Sequence, residues 1–273
     1  KMQRATLVGF AAEQPSPDKL PEKGLVGIHI LHFIHKGSGY FNGKLLTAGY
    51  GFLIQYADFY EYYPNPDDPW EYAWISFRDD EMLVTLKRLI DLDEHKVFKY
   101  DSSIEYFDVI NRAAVELGLR RYHQANGSYM GTSLYYHLLA LLNDDPYRKP
   151  LHSQNRPSLR EKHVSDIKRL VSAGYAKPDF SVATVSENLH LSRAYMRNLF
   201  SMYESCSVQE YIIRVRIAHA KDFLLRTESP VGIIASSVGY TDQLQFSKIF
   251  KKYCGKSPKQ YRDSLKESNR EEI

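Results

Sequence analysis

The chain has 273 residues, 43% of them hydrophobic, with two cysteines and a formal net charge of only +3. That length predicts two domains rather than one. Two cysteines, no signal peptide and no apolar run near the length of a membrane span exclude a membrane protein and fit a reducing cytoplasm.

Lys1 ahead of Met2 reads as an expression remnant. From about Gly27 to Phe77 short β-prone runs are broken by glycine turns: 28–34, Gly37-Ser38-Gly39-Tyr40, 49–54 and 70–77. Asn42-Gly43 is a strong hairpin signal. Several short strands with such turns predict a small barrel or a sandwich. Strand alternation puts Trp70, Tyr72, Trp74 and Ser76 on one face and Ala73, Ile75 and Phe77 on the other. Aromatic rings with polar tips suit a sugar, whose CH face stacks while its hydroxyls hydrogen-bond. Tyr60 and Tyr62 from the preceding strand, with His32 and Lys36 from the first, complete a candidate effector set. The plainer alternative is that these aromatics fill the core.

An enzyme is not expected. Three histidines, His29, His32 and His35, suggest a metal, but alternation places His29 and His35 on one face and His32 on the other, so the three cannot converge. No nucleophile motif or phosphate-binding glycine loop is present, and Gly37-x-Gly39 reads as a turn. No catalytic residue, metal or cofactor is assigned.

From about Asp79 the period becomes helical: Met82, Leu83, Leu86, Leu89 and Ile90, then Ile104 to Leu117, then Ser128 to Leu142. The stripe Leu134, Leu138, Leu141 and Leu142, with Ile104, Phe107 and Ile110, is rich for helices leaning on a small β-domain. It predicts a homodimer, or else packing within the chain. Tyr147 to Pro157 is polar, aperiodic and proline-bearing, which reads as a linker.

Ser158-Leu159-Arg160-Glu161 is a capping box opening the second half. That half contains one helix–turn–helix written twice. Ser192-Arg193-Ala194-Tyr195-Met196-Arg197-Asn198-Leu199-Phe200 is followed by Ser207-Val208-Gln209-Glu210-Tyr211. Fifty residues on, Asp242-Gln243-Leu244-Gln245-Phe246-Ser247-Lys248-Ile249-Phe250 is followed by Ser257-Pro258-Lys259-Gln260-Tyr261. In each copy a short helix ends at a turn, His190-Leu191 or Gly239-Tyr240-Thr241, and a second starts at Ser192 or Asp242. That unit places its second helix in the DNA major groove. Met196, Leu199 and Phe200, then Phe246, Ile249 and Phe250, form its buried stripe. The outward faces carry Arg193, Ala194, Arg197 and Asn198, then Gln243, Leu244, Gln245 and Lys248, with side chains that bond base edges or phosphates. A further helix from the capping box at Ser207 to about Arg226 joins the copies. Roughly twenty residues span about 30 Å, close to the ~34 Å between major-groove sites on one face of DNA. Ser229-Pro230 and Ser257-Pro258 start the next helices, with proline at the first helical position. From Leu159 onward there are 19 Lys and Arg against 13 Asp and Glu, a net +6, whereas the first half is net −3. Cys206 and Cys254 read as semi-buried fillers.

Arg216-Ile217, Ala220, Leu224-Leu225, Ile234-Ala235, Gly239-Tyr240, Phe246-Ser247-Lys248-Ile249-Phe250-Lys251-Lys252, Gly255, Ser257-Pro258 and Tyr261-Arg262 together resemble the AraC/XylS family of transcription regulators. The resemblance covers about Leu159 to Arg262. Ser205, Val208 and His190 depart from the family pattern in the first copy. The resemblance implies an α+β multidomain chain. Residues 1–100 would form a cupin-like effector-binding β-barrel and 101–146 dimerisation helices. A linker at 147–158 would precede an all-α DNA-binding domain at 159–273 with two helix-turn-helix units. The run Trp70-Glu71-Tyr72-Ala73-Trp74-Ile75-Ser76-Phe77, after a Pro-Asp-Asp-Pro turn, resembles regulators of oligosaccharide uptake genes, with Tyr72 and Trp74 as foremost effector contacts. The implied partners are double-stranded DNA, a small sugar effector, a second copy of the chain and RNA polymerase. A regulator of virulence or stress genes with a non-sugar effector is the alternative. A cupin enzyme fused to a DNA-binding domain is a more distant one.

Overall fold

The computed structural model describes residues 7–78, 80–116, 129–149, 158–204 and 206–270. The expected linker residues 150–157, the expected helix boundaries at Asp79, Leu117 and Ser128, and the departure at Ser205 lie outside the described residues. The chain divides into two compact units, 1–155 and 156–273.

Among the described residues the first unit holds nine strands: β1 (Leu7–Glu13), β2 (Glu22–Leu25), β3 (His29–Lys36), β4 (Ser38–Phe41), β5 (Lys44–Thr47), β6 (Tyr50–Ile54), β7 (Phe59–Pro64), β8 (Glu71–Phe77) and β9 (Val97–Lys99). They form a five-stranded sheet, β1-β8-β3-β6-β9, and a four-stranded sheet, β2-β7-β4-β5. Every strand pair is antiparallel. Asn42 and Gly43 both take positive φ, 47° and 80°, in the two-residue turn between β4 and β5. That is the hairpin turn the dipeptide favours.

The expected barrel is not closed. The edge strands β2 and β5 have four residues each and pair on one side only, so the domain is two facing sheets. Three strands lie outside the expected set: β1 and β2 before Gly27, and β9 after the first helix.

Alternation along β8 sorts its side chains as expected. Trp70 and Tyr72, with Trp74 half-buried, enter the core between the sheets beside Ile34, Phe41, Phe52 and Tyr62. Ala73, Ile75 and Phe77 enter a second core on the outer face of the five-stranded sheet. That outer core is roofed by α1 (Asp80–Leu89), α2 (Tyr106–Glu116) and α3 (Tyr129–Asp144). Leu134, Leu138, Leu142 and Ile110 are buried in it, with Ile104, Phe107 and Leu141 packed on its margin. The stripe expected to dimerise is therefore spent on the chain's own sheet. Burying one such side chain contributes about 1.5–3 kcal/mol, which a solvent-facing dimer seam would forgo in the free monomer. Buried Asp145 accepts hydrogen bonds from the Tyr106 hydroxyl at 2.8 Å and from the backbone N–H groups of Asp101 and Tyr147 at 3.0 and 2.8 Å. It thereby ties the start of α2 to the end of α3.

The second unit is helical: α4 (Leu159–Gly174), α5 (Val182–Leu189), α6 (Arg193–Glu204), α7 (Val208–Arg226), α8 (Val231–Ser237), α9 (Gln243–Cys254) and α10 (Pro258–Arg270). The capping box at Ser158 is made in both directions. Ser207 caps α7 by accepting from the Glu210 N–H at 3.1 Å, while the Glu210 carboxylate holds Arg214. Pro230 stands at the N-cap of α8, one place earlier than expected, and the Ser229 carbonyl accepts from Arg262 at 2.6 Å. α7 is buried on several sides, from Val208 and Ile212 through Val215, Ile217 and Leu224, as befits a central helix packed all round. Among the described residues no helix is long and apolar enough to cross a membrane.

Candidate functional site

The two helix–turn–helix units are α5–α6 and α8–α9. His190 closes α5 in the left-handed conformation, φ 54°, where the second copy uses Gly239 at φ 85°. Ser192 accepts from the Tyr195 N–H at 3.2 Å. Asp242 accepts from the Leu244 and Gln245 N–H groups at 2.7 and 3.2 Å. These caps satisfy donors that helix starts leave open. Met196, Leu199, Phe200, Phe246 and Phe250 are buried, with Ile249 at the margin. All eight outward candidates are exposed: Arg193, Ala194, Arg197 and Asn198 on α6, and Gln243, Leu244, Gln245 and Lys248 on α9. Gln243 lies back over α8, where a Cβ at Gly232 would meet its Oε1 at 2.6 Å.

One buried arginine couples the two units. Arg216, near the middle of α7, donates from Nε to the Tyr175 carbonyl at 2.9 Å and from Nη2 to the Lys177 and Phe180 carbonyls at 3.0 and 3.4 Å. Those carbonyls belong to the α4–α5 connection. The same guanidinium lies 5.3 Å from the ring centre of Tyr240, in the turn of the second unit. At Gly239 a Cβ would fall 2.5 Å from the Tyr175 carbonyl oxygen. The bare Gly239 and the Arg216 fork thus both stand where the two units meet. The sequence reading placed Arg216 in a motif without seeing this role. Cys206 is buried and Cys254 half-buried, neither in a disulfide, and burial pushes the Cys254 thiol up to about 11. Such a thiol is an inert filler at neutral pH.

The effector candidates meet in the first unit, between the sheets. His32 stacks on Phe52 with ring centres 4.2 Å apart and lies 5.2 and 5.6 Å from Tyr62 and Tyr72. Tyr60 stacks beside Tyr62 at 5.8 Å. Lys36 stays outside the cluster: it is exposed and pairs with Glu71 at 3.5 Å. His29 and His35 occupy the outer face, as alternation requires. His29 Nδ1 accepts from the Tyr56 N–H at 3.0 Å, and His35 stacks on Phe107. No group of three His, Cys, Asp or Glu able to hold a metal occurs among the described residues.

Three polar residues that the sequence reading missed close this cluster. The Tyr72 hydroxyl and Trp74 Nε1 donate to the two oxygens of Glu13 at 3.0 and 2.9 Å. The Tyr62 hydroxyl donates to Glu22 at 2.6 Å. Lys19 bridges both carboxylates, 2.5 Å from Glu22 and 3.7 Å from Glu13. Burial, reinforced by neighbouring acidic groups, pushes the phenols of Tyr62 and Tyr72 far above their ordinary value, so both are O–H donors. Inside, His32 Nδ1 and Trp70 Nε1 are buried without a partner. Such orphans are expensive unless something else bonds them. The cluster thus combines apolar walls, a ring of hydroxyl and carboxylate groups and two unsatisfied nitrogens. A separate open cleft of about 350 Å³ at the β9 edge, lined by Lys44, Asp93, Lys99 and Tyr147 among others, gathers none of these residues.

His32 gives a pH test. Burial, then the Lys19 charge, lowers its imidazole from the ordinary 6.5 to about 3. Below pH 6.5 the unfolded chain binds a proton that the folded chain refuses. Stability is therefore full above 6.5 and falls as pH drops from 6.5 towards 3, by about 1.4 kcal/mol per pH unit. Urea unfolding of the wild type and His32→Phe at pH 7 and pH 5 should show the wild type losing about 2 kcal/mol more than the variant. Equal losses would place His32 in contact with water.

Sequence comparison matches residues 10–126 to the AraC-like ligand binding domain and residues 185–264 to a helix-turn-helix domain. The Msm operon regulatory protein of Streptococcus mutans is 27% identical over 241 residues, 87% of this chain and 84% of that protein. The lactose operon transcription activator of Staphylococcus xylosus is 26% identical, covering 89% and 86%. The raffinose operon transcriptional regulatory protein of Pediococcus pentosaceus is 29% identical, covering 87% and 85%. Among solved structures, ToxT of Vibrio cholerae has the same fold, with a TM-score of 0.60 over 94% of this chain and 97% of that one at 14% identity.

Proposed function

We propose that this chain, which belongs to the AraC/XylS family of transcription regulators, switches carbohydrate genes by binding a neutral saccharide between its two sheets. It is a ligand-responsive DNA-binding regulator, and its family are regulators rather than enzymes. The observation that carries the saccharide reading is the ring of Tyr62, Tyr72 and Trp74 held by Glu13 and Glu22. Carboxylates accept hydrogen bonds from sugar hydroxyls and repel phosphate or carboxylate effectors. Relatives named for the Msm, lactose and raffinose operons support the same class. Titration calorimetry of the full chain with raffinose, lactose and a sugar phosphate tests it. Heat from a neutral sugar alone is expected. Binding of only the phosphorylated or a carboxylate ligand would overturn the saccharide reading.

The DNA contacts are proposed at Arg193, Ala194, Arg197 and Asn198 in one major groove and at Gln243, Leu244, Gln245 and Lys248 in the next. α7, which joins the units, is about 28 Å long. Arg197→Ala should weaken operator binding by ~1–3 kcal/mol and relax specificity at one position. Uniform weakening on all sequences, measured by fluorescence anisotropy, would assign Arg197 to a phosphate instead.

We place residues 101–146 in a homodimer contact, with the linker at 147–158 and the DNA-binding half from 159. Because the Leu134–Leu142 stripe is buried, the contact would use the outward side of α2 and α3, where Val115 and Tyr136 are exposed. Multi-angle light scattering of the full chain at micromolar concentration should give twice the chain mass, and a monomer would refute the contact. RNA polymerase is the further proposed partner, and the cytoplasm the proposed location.

A further inference from the structure

The two DNA-facing helices are the same module with different chemistry at matched places. α6 presents Arg193, Ala194 and Arg197 where α9 presents Gln243, Leu244 and Ser247. Arg193 and Arg197 are exposed, and neither is engaged by a carboxylate among the described residues. Other cations of this unit are engaged: Lys168 pairs with Glu204, Arg169 with Asp166 and Arg214 with Glu210. The α6 guanidiniums are therefore available as forks. An arginine fork matches the O6 and N7 acceptors of guanine.

α9 has no arginine. Gln243 lies close to Gly232, and beside it Leu244 and Gln245 stand exposed at the helix start, where base edges are met. Leu244 is 72% exposed. Scattered exposed leucines need no explanation, but this one stands on the turn that enters the groove. Its natural partner there is the thymine methyl group, and that of Gln245 is the N6–N7 edge of adenine.

Resting on the DNA-reading function above, we propose that the operator is chemically lopsided. The half-site under α6 contains guanine, and the half-site under α9, about one turn away, is A·T with thymine methyl groups in the major groove.

Selection from a random double-stranded DNA library by the full-length protein tests this. The wild type should enrich one guanine-containing and one A·T half-site about 10 base pairs apart. Arg197→Lys keeps the charge and removes the fork. It should lower guanine preference roughly 5- to 150-fold at one position of the first half-site and leave the second unchanged. Leu244→Ala should relax thymine preference in the second half-site only. Both residues are exposed, so circular dichroism should be unaltered. Two half-sites of the same composition, guanine preference lost in the half-site that answers to Leu244→Ala, or an Arg197→Lys motif identical to wild type would each overturn the proposal. Enrichment of no sequence would sink the DNA-reading function itself and the lopsided operator with it.

Discussion

Replacing Arg216 with alanine is expected to melt the DNA-binding half by about 3–4 kcal/mol, a large share of a domain's net stability. The guanidinium is the shared donor for the carbonyls of Tyr175, Lys177 and Phe180 and lies over Tyr240. Its removal strands those acceptors and opens a void beside Gly239. Arg216→Lys should fall between, because an ammonium is a single point donor where the fork served several carbonyls. Scanning calorimetry of the full chain should show one transition moving down by several degrees while the other stays. An unmoved transition would mean that water replaces the arginine without loss. Operator affinity should fall with the transition, since the two recognition helices lose the link between their turns.

Trp74→Ala is expected to abolish the effector response while the ligand-free protein keeps nearly all its DNA affinity. Trp74 is half-buried in the inter-sheet core, with its Nε1 on Glu13. Losing a stacked face and a charge-assisted donor should weaken saccharide binding by about 3 kcal/mol, roughly a hundredfold. Binding alters transcription only by favouring one arrangement over another. The stretch from Glu13 to Glu22 is suited to that role, because it joins the two sheets and its carboxylates already grip the aromatics that the sugar would engage. Calorimetry with the sugar and anisotropy with operator DNA separate the effects. If the variant loses the melting transition of the first unit, Trp74 is a core residue. If it binds sugar as tightly as wild type, the effector lies elsewhere.

Local rules account for what was legible before folding. Caps at Ser158, Ser192 and Asp242 depend on side chains two or three residues from the groups they satisfy, and all three form. The duplicated unit and its buried stripe are matters of period, and its eight outward residues are exposed as expected. Alternation along β3 and β8 correctly parted His32 from His29 and His35, and Tyr72 from Ala73. Only the tertiary structure supplied Glu13, Lys19 and Glu22. The aromatic partners of Glu13 and Glu22 lie 40 to 61 residues away, and β1 and β2 carry weak strand signals in a glycine- and alanine-bearing run and a charged four-residue edge. It also decided that the sheets stay open and that the Leu134 stripe faces its own sheet. Period reveals that a helix has an apolar face, but the surface that covers that face is set by distant packing. Arg216 obeys the same division: its place in the sequence motif is plain, yet its three carbonyls converge only once α4, α5 and α7 have packed.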